Sequence, residues 1–179
     1  ARSAGRGAGR GPMTPPRGVR LGVDVGSVRV AAPASDADAL LATPVETVQR
    51  GERDDGGVDR IVQIVGETRA VVVYVGLPRH LSGREGSASE AARNYGVHLR
   101  RAAAPVPVRL VDERMSTVLA HRAMRESGRS GRRHRAVVDQ AAAVAILQSA
   151  LDQERATGMR AGEQVDVDGG GAEQREASR

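Results

Sequence analysis

A mixed α/β fold is what this 179-residue sequence predicts. The sheet has five strands, three antiparallel ones followed by βαβ units, with helices on its faces. Three observations carry that reading. Residues 19–48 hold short apolar segments separated by short turns, the pattern of hairpins. From residue 58 the apolar spacing becomes helical, with Val58, Ile61, Val62 and Val65 at i, i+3, i+4 and i+7. Beyond that point strand-like and helix-like segments alternate, which calls for parallel pairing through crossovers.

Taken in order, "VRLGVDVG" (19–26) is nearly all apolar and reads as a central strand buried on both faces. "SVRVAAPAS" (27–35) and "LLATPVETV" (40–48) are its antiparallel neighbours. Pro33 and Pro44 cannot donate to a ladder, so they predict a bulge or an edge. A helix follows at 58–65, then the β-branched strand "AVVVYVG" (70–76), ended by Leu77-Pro78. "LSGREGSAS" (81–89) is a polar loop, and its residues 82–87 are a candidate source of backbone N–H groups for phosphate. A helix over 88–102, weakened by Gly96, leads to the strand "VPVRLVDE" (106–113). Ser116 caps a further helix to about Ser127. "GRSGRRHR" (128–135) reads as a basic loop, and an Ala-rich helix over 136–154 closes the domain.

The ends differ in character. Residues 1–17 are Gly, Pro and Arg without apolar periodicity, a disordered basic arm. Residues 156–179 have no apolar pattern and read as a second disordered tail. The folded domain is therefore expected over 18–155. There is no Cys, Phe or Trp, so thiolate metal sites, disulfides and Cys nucleophiles are excluded, and the core must be Val, Leu, Ile and Ala. No run approaches the roughly 18 apolar residues of a membrane span, and the N-terminus lacks a signal peptide's apolar region. A cytoplasmic protein without a membrane partner is the expectation. Net charge is +5 with a pI near 10.9, and with no Lys in the chain the formal positive charge is all Arg; this balance favours an anionic partner such as nucleic acid.

Three carboxylates stand where a carboxylate is costly. Asp24 lies inside the most apolar strand. Glu113 closes the strand 106–113. Asp139 shares a helix face with Ala142, Ala143 and Ile146. Ligands of open α/β sheets bind at the carboxyl ends of parallel strands, and both Asp24 and Glu113 are near such ends. Each has a structural explanation alone: Asp24 capping a turn, Glu113 paired with Arg114, Asp139 paired with an arginine of 132–135. Converging, the three require a compensating charge, and Mg²⁺ or Mn²⁺, taking oxygen ligands, supplies it. Such ions serve phosphodiester hydrolysis.

The blocks "RLGVDVGSVRVAAPASD", "VVVYVGLP", "RLVDERMST" and "VVDQAAAVAILQSALD", in this order, resemble the YqgF family over about residues 18–152. That family is described both as Holliday junction resolvases and as pre-16S rRNA nucleases, and has the RNase H-like fold. The resemblance implies an acidic catalytic and metal-binding set at Asp24, Glu113 and Asp139. It also implies a phosphate contact after the first strand. The family's usual Lys-Arg pair is Val28-Arg29 here, which leaves Arg29 alone for that contact.

Arg122, Arg125, Arg129, Arg132, Arg133 and Arg135 crowd the approach to Asp139. Arg29, Arg114, Arg129, Arg132, Arg133 and Arg135 are accordingly candidates for nucleic-acid backbone contact, which adds affinity without sequence readout. With almost no aromatic residues, base stacking is a poor route to recognition, and a structured partner, pre-rRNA or branched DNA, fits better. The leading function is a metal-dependent nuclease acting on the 5′ end of pre-16S rRNA, the substrate being implied by the resemblance. The alternative is a Holliday junction resolvase, which needs two active sites and hence a homodimer. A non-catalytic nucleic-acid-binding module would have no use for three misplaced carboxylates. "DVGS" and "DVDGGG" (166–171) also resemble the phosphate loops of the sugar kinase and actin superfamily, but that chemistry needs two such domains.

Overall fold

The computed structural model describes residues 15–51, 56–115 and 132–167. Strands β1 (Arg20–Val25), β2 (Arg29–Ser35) and β3 (Ala42–Gln49) form an antiparallel meander. Helix α1 (Val58–Thr68) leads to β4 (Val72–Leu77), and α2 (Ser87–Ala102) to β5 (Val108–Asp112). β4 pairs in parallel with both β1 and β5. A 3₁₀ turn (Glu113–Met115) follows, then the long helix α3 (Arg132–Thr157) and a short β6 (Glu163–Gln164) antiparallel to β5. The sheet order is β3-β2-β1-β4-β5-β6. Its first five strands have the RNase H-like arrangement expected from the family resemblance.

Strand alternation divides the core into two layers. Leu21 and Val23 of β1, Val73, Val75 and Leu77 of β4, and Val108 and Leu110 of β5 pack with α1 and α2 residues such as Ile61, Ile64 and Leu99. Val72, Tyr74 and Val111 face the other way, toward Leu147, Ala150 and Leu151 of α3. The helices thus cover both faces. Leu147 and Leu151 are fully buried, each contributing roughly 1.5–3 kcal/mol of hydrophobic stabilisation. The alanines of α3 keep that helix close to the sheet. An added Cβ on Gly22 would lie 3.0 Å from Leu147 Cβ, which fixes the Arg20–Gly22–Asp24 side of β1 as the α3 side.

Pro33 and Pro44 face each other across β2 and β3, and the register shifts between Ala32 and Pro33. The expected bulge is there, and β3 is an edge strand. Two expectations need correction. The basic stretch 128–135 is not all loop, because α3 starts at Arg132. Nor is 156–179 a tail throughout: the sheet has a sixth strand. Val165 N–H donates to Val108 O at 2.9 Å, Arg109 donates to Ala161 O and Gly162 O, and Ala161 and Val165 are buried. Gly162 has φ 67, and a Cβ there would meet Leu110 O at 2.1 Å, so only glycine fits. Two isolated apolar residues give no periodicity, which is why the segment is silent in sequence. The helix expected from Ser116 to Ser127 and residues 1–14 of the expected 1–17 arm lie outside the described residues. Among the described residues no helix is long and apolar enough to cross a membrane.

Candidate active site

The carboxyl ends of β1, β4 and β5 lie side by side, and the three predicted acids collect at that edge. Asp24 is the penultimate residue of β1, on the α3 face, and is buried at 6 % exposure. Glu113 is the first residue after β5 and is 2 % exposed. What sets its carboxylate is a glycine in the neighbouring strand. A Cβ on Gly76 would sit 2.8 Å from Glu113 Oε1 and 3.1 Å from Ile146 Cδ1. Glu113 therefore reaches over β4, under α3, into space that any side chain at 76 would fill. β1 and β4 run in parallel register, with Val23 opposite Val75, so Asp24 and Gly76 are the next pair along. Two buried carboxylates converge on one sheet position from opposite sides.

Asp139 comes from the first half of α3, which runs antiparallel to β1. Its neighbours Ala142, Ala143 and Ile146 are buried as the spacing requires, but Asp139 itself sits at the rim, its side chain 25 % exposed. Its Oδ2 lies 3.6 Å from Arg29 Nη2. One partner the structure supplies is Arg29, at the start of β2; the side chains of 132–135, the partners considered from sequence, lie outside the described residues. Adjacent in sequence, Gln140 donates to Thr47 Oγ1 at 2.7 Å and ties this part of α3 to β3.

The donor set is all carboxylate oxygen, the chemistry that hard divalent cations take, and Gly76 leaves room for it. Among the described residues, however, no three acidic or imidazole groups stand close enough to form a ready metal cluster. Asp24 and Glu113 share a face; Asp139 lies at its rim beside Arg29.

The Arg114 guanidinium pairs with Asp112, not with Glu113. Its Nη2 lies 2.6 Å from Asp112 Oδ2, and its backbone N–H also donates to that carboxylate. This hydrogen bond holds the Asp112 carboxyl below the usual range, against the opposing effect of partial burial. Asp112 also faces Arg79 at 3.7 Å, Arg79 pairs with Glu85, and Glu85 with Arg93, which reaches Glu163 of β6. This alternating chain of charge moors the 79–86 loop beside the acidic edge. Three amides of this candidate phosphate loop are already engaged within it or with the start of α2. Gly83 N–H donates to His80 O, Gly86 N–H to Ser89 Oγ and Arg84 N–H to Ser82 Oγ. Arg132, Arg133 and Arg135 lie in the first turn of α3, leading to Asp139; Arg129 is outside the described residues.

Sequence reasoning did not single out Gly76, although a glycine inside a buried strand is a signal of close approach. It also passed over a buried centre at the opposite end of the same face. There Glu154 accepts from Arg20 Nε and Nη2, at 3.0 and 2.8 Å, from Arg160 at 2.9 Å, and from the Tyr74 hydroxyl.

The family model described as "RuvX: Holliday junction resolvase" matches residues 18–153, three-quarters of the chain. The chain belongs to the RuvX family. Among its RuvX relatives, a protein of Nocardioides sp. is 54 % identical over 151 residues, spanning 83 % of this chain and 97 % of that one. One from Mycobacteroides abscessus is 51 % identical over 148 residues, spanning 83 % and 89 %. Both carry the name "Putative pre-16S rRNA nuclease". Among solved structures, Thermus thermophilus RuvC in complex with a Holliday junction substrate aligns over 78 % of this chain and 97 % of its own. Its TM-score is 0.48 and the identity 16 %.

Proposed function

We propose that this RuvX-family chain is a nuclease that hydrolyses phosphodiester bonds, with Asp24, Glu113 and Asp139 as its catalytic, metal-holding acids. One observation carries the reading: Glu113 is buried with its carboxylate laid over Gly76, beside the strand end that bears Asp24. Placing two buried carboxylates at one edge is costly for folding, and a cation-dependent reaction gives that cost a purpose. The three acids would hold Mg²⁺ or Mn²⁺. When bound, such an ion supplies Lewis acidity and charge neutralisation for phosphodiester hydrolysis. The chain's own part is to fix the two buried oxygen donors, to bring the third from α3, and to exclude water behind them with Ile146. Arg29, Arg114, Arg129, Arg132, Arg133 and Arg135 then act on the substrate backbone through charge and hydrogen bonds to phosphate, without sequence readout.

The substrate we favour is the 5′ end of precursor 16S rRNA, which follows the names of the similar proteins. The family description favours a second reading, a Holliday junction resolvase working as a homodimer. The test is cleavage of a pre-16S 5′-leader RNA and of a four-way DNA junction, with Mg²⁺, with Mn²⁺ and with EDTA, by wild type and by Asp24→Asn, Glu113→Gln and Asp139→Asn. Metal-dependent cutting of the RNA, lost by about 100-fold or more in each variant while the protein stays folded, is the expected result. Cutting of the junction alone, by a dimer, would replace the RNA with the second reading. Undiminished cutting by Asp24→Asn would end the assignment of the acids.

A further inference from the structure

We infer that Asp112 is a positioning residue of the acidic site: it caps the turn that begins at Glu113 and so swings the Glu113 carboxylate back over Gly76. The inference rests on the metal-nuclease reading, which makes Glu113 a catalytic acid, and adds to it how that acid is seated.

The register of the sheet poses the problem. Gly76 pairs with Val111 and Leu77 with Asp112. A straight continuation of β5 would therefore carry Glu113 beyond Leu77 and past Gly76, at roughly 3.3 Å per residue. Yet the carboxylate lies at Gly76: a Cβ there would meet Glu113 Oε1 at 2.8 Å and Cδ at 3.5 Å. β5 ends at Asp112, and the 3₁₀ turn Glu113–Met115 starts at once. Asp112 stands in the capping position of that turn. Its Oδ1 accepts the Arg114 backbone N–H at 3.0 Å, the bond by which a capping carboxylate holds the second residue of a helical turn. The Arg114 guanidinium folds back on the same carboxylate, with Nε 3.1 Å from Oδ1 and Nη2 2.6 Å from Oδ2. Arg79, from the loop after β4, faces it at 3.7 Å.

Asp112 does this from the other side of the sheet. Along β5, Leu110 packs in the layer of α1 and α2, and Val111 in the layer of α3. Alternation then turns Asp112 away from α3. Glu113 lies over Gly76, which Ile146 of α3 also covers, and so belongs to the α3 side. Asp112 is therefore no fourth acid of the site. Its part is to end the extended strand at the residue before Glu113. Substitution separates its cap from its charge, because asparagine caps as well as aspartate and alanine far less well. A misplacement of about 1 Å can cost up to about 100-fold in rate, so the loss of a cap that touches no substrate is readable in the chemistry.

The experiment compares the full chain as wild type, Asp112→Asn and Asp112→Ala by two readouts. One is the NOE between the Glu113 side-chain protons and the Gly76 α protons in metal-free protein. The other is kcat and KM for Mn²⁺-supported cleavage of the pre-16S 5′-leader RNA and of the four-way junction. Asp112→Ala is expected to lose the NOE and about tenfold in kcat, with KM within about twofold of wild type. Asp112→Asn should keep the NOE and stay within about threefold in kcat. Asp112→Ala that keeps the NOE, or keeps the wild-type kcat, overturns the inference and leaves the nuclease reading standing. Asp112→Asn that keeps the NOE yet falls as far in kcat as Asp112→Ala overturns it too, because the charge then acts and not the cap. If Asp112→Ala does not fold, Asp112→Asn decides, and loss of its NOE or its kcat overturns the inference. Wild type that cuts neither substrate overturns the nuclease reading; the NOE needs no cleavage, and its retention in Asp112→Ala would overturn the seating of Glu113 as well.

Discussion

One face of the sheet, the face under α3, carries buried acids at both ends, and the two ends are built on opposite plans. At the start of β1, Glu154 is 3 % exposed and is enclosed by Arg20, Arg160 and the Tyr74 hydroxyl. Two guanidiniums and a phenol, from β1, β4 and the segment after α3, surround one carboxylate of α3. At the carboxyl ends of β1, β4 and β5, carboxylates predominate. Asp24 and Glu113 are both buried there, and Arg29 faces the rim member, Asp139, at 3.6 Å. The first end is closed over by tight, short contacts among its own residues. The second gathers like charge where sheets of this kind open to ligands. Burial of an acid therefore has two meanings here, and its surroundings, not its burial, tell them apart.

The comparison is broken most severely at Glu154. Replacing it with Gln leaves Arg20 and Arg160 facing a neutral group inside the protein, and destabilisation of about 3–5 kcal/mol is expected in urea unfolding. Cleavage per folded molecule should be unchanged. The same variant has a pH signature. Burial works to raise the Glu154 carboxyl, but the hydrogen bonds from Tyr74, Arg160 and Arg20 outweigh it and leave it below its ordinary range. A group depressed in the folded state adds stability above its unfolded pKa, and that stability is lost as pH falls through the folded one. Wild type should thus lose stability below about pH 4, the ordinary carboxylate range, and Glu154→Gln should lose less over the same window. Parallel pH–melting curves for the two proteins would refute this account of the centre.

Ending the chain at residue 155 tests how the closed end is completed. It removes Arg160, the buried Ala161 and Val165, and β6. Loss of roughly 3 kcal/mol is expected from the apolar burial and the ion pair together. A truncated chain as stable as the full one, measured by the same unfolding assay, would mean that β6 is an ornament of the sheet.

Gly76→Ala probes the open end with a smaller effect. The new methyl would sit 2.8 Å from Glu113 Oε1, a side-chain terminus that can shift. Activity should fall about tenfold through displacement of the carboxylate, with a loss of stability near 1 kcal/mol from overpacking against Ile146. Full activity with unaltered stability would show that Glu113 is not seated by that glycine.

The smallest change belongs to the basic approach. Arg132→Ala with Arg133→Ala should weaken nucleic-acid binding alike for all sequences and reduce the salt dependence by roughly one unit of slope per lost phosphate contact. An unchanged slope in filter binding at several salt concentrations would remove these two residues from the interface.

The order of the first five strands and of the helices between and after them, the bulge between Pro33 and Pro44, and the candidacy of Asp24, Glu113 and Asp139 were legible in the sequence; β6 was not. Each of the legible features is a local matter. Strands and helices write their period into the apolar residues, proline lacks a donor wherever it stands, and a carboxylate within an apolar segment is conspicuous without knowledge of its neighbours. Only the tertiary structure decided the partners. That Asp139 meets Arg29, that Arg114 turns to Asp112, and that Glu113 lies on Gly76 depend on residues brought together from separate strands and helices. The same holds for Glu154, which looks like any polar residue near a helix end until Arg20, 134 positions earlier, closes on it. Charge pairing and close packing act through space at a few ångströms. A linear pattern records which groups are out of place, and only the fold determines what each of them touches.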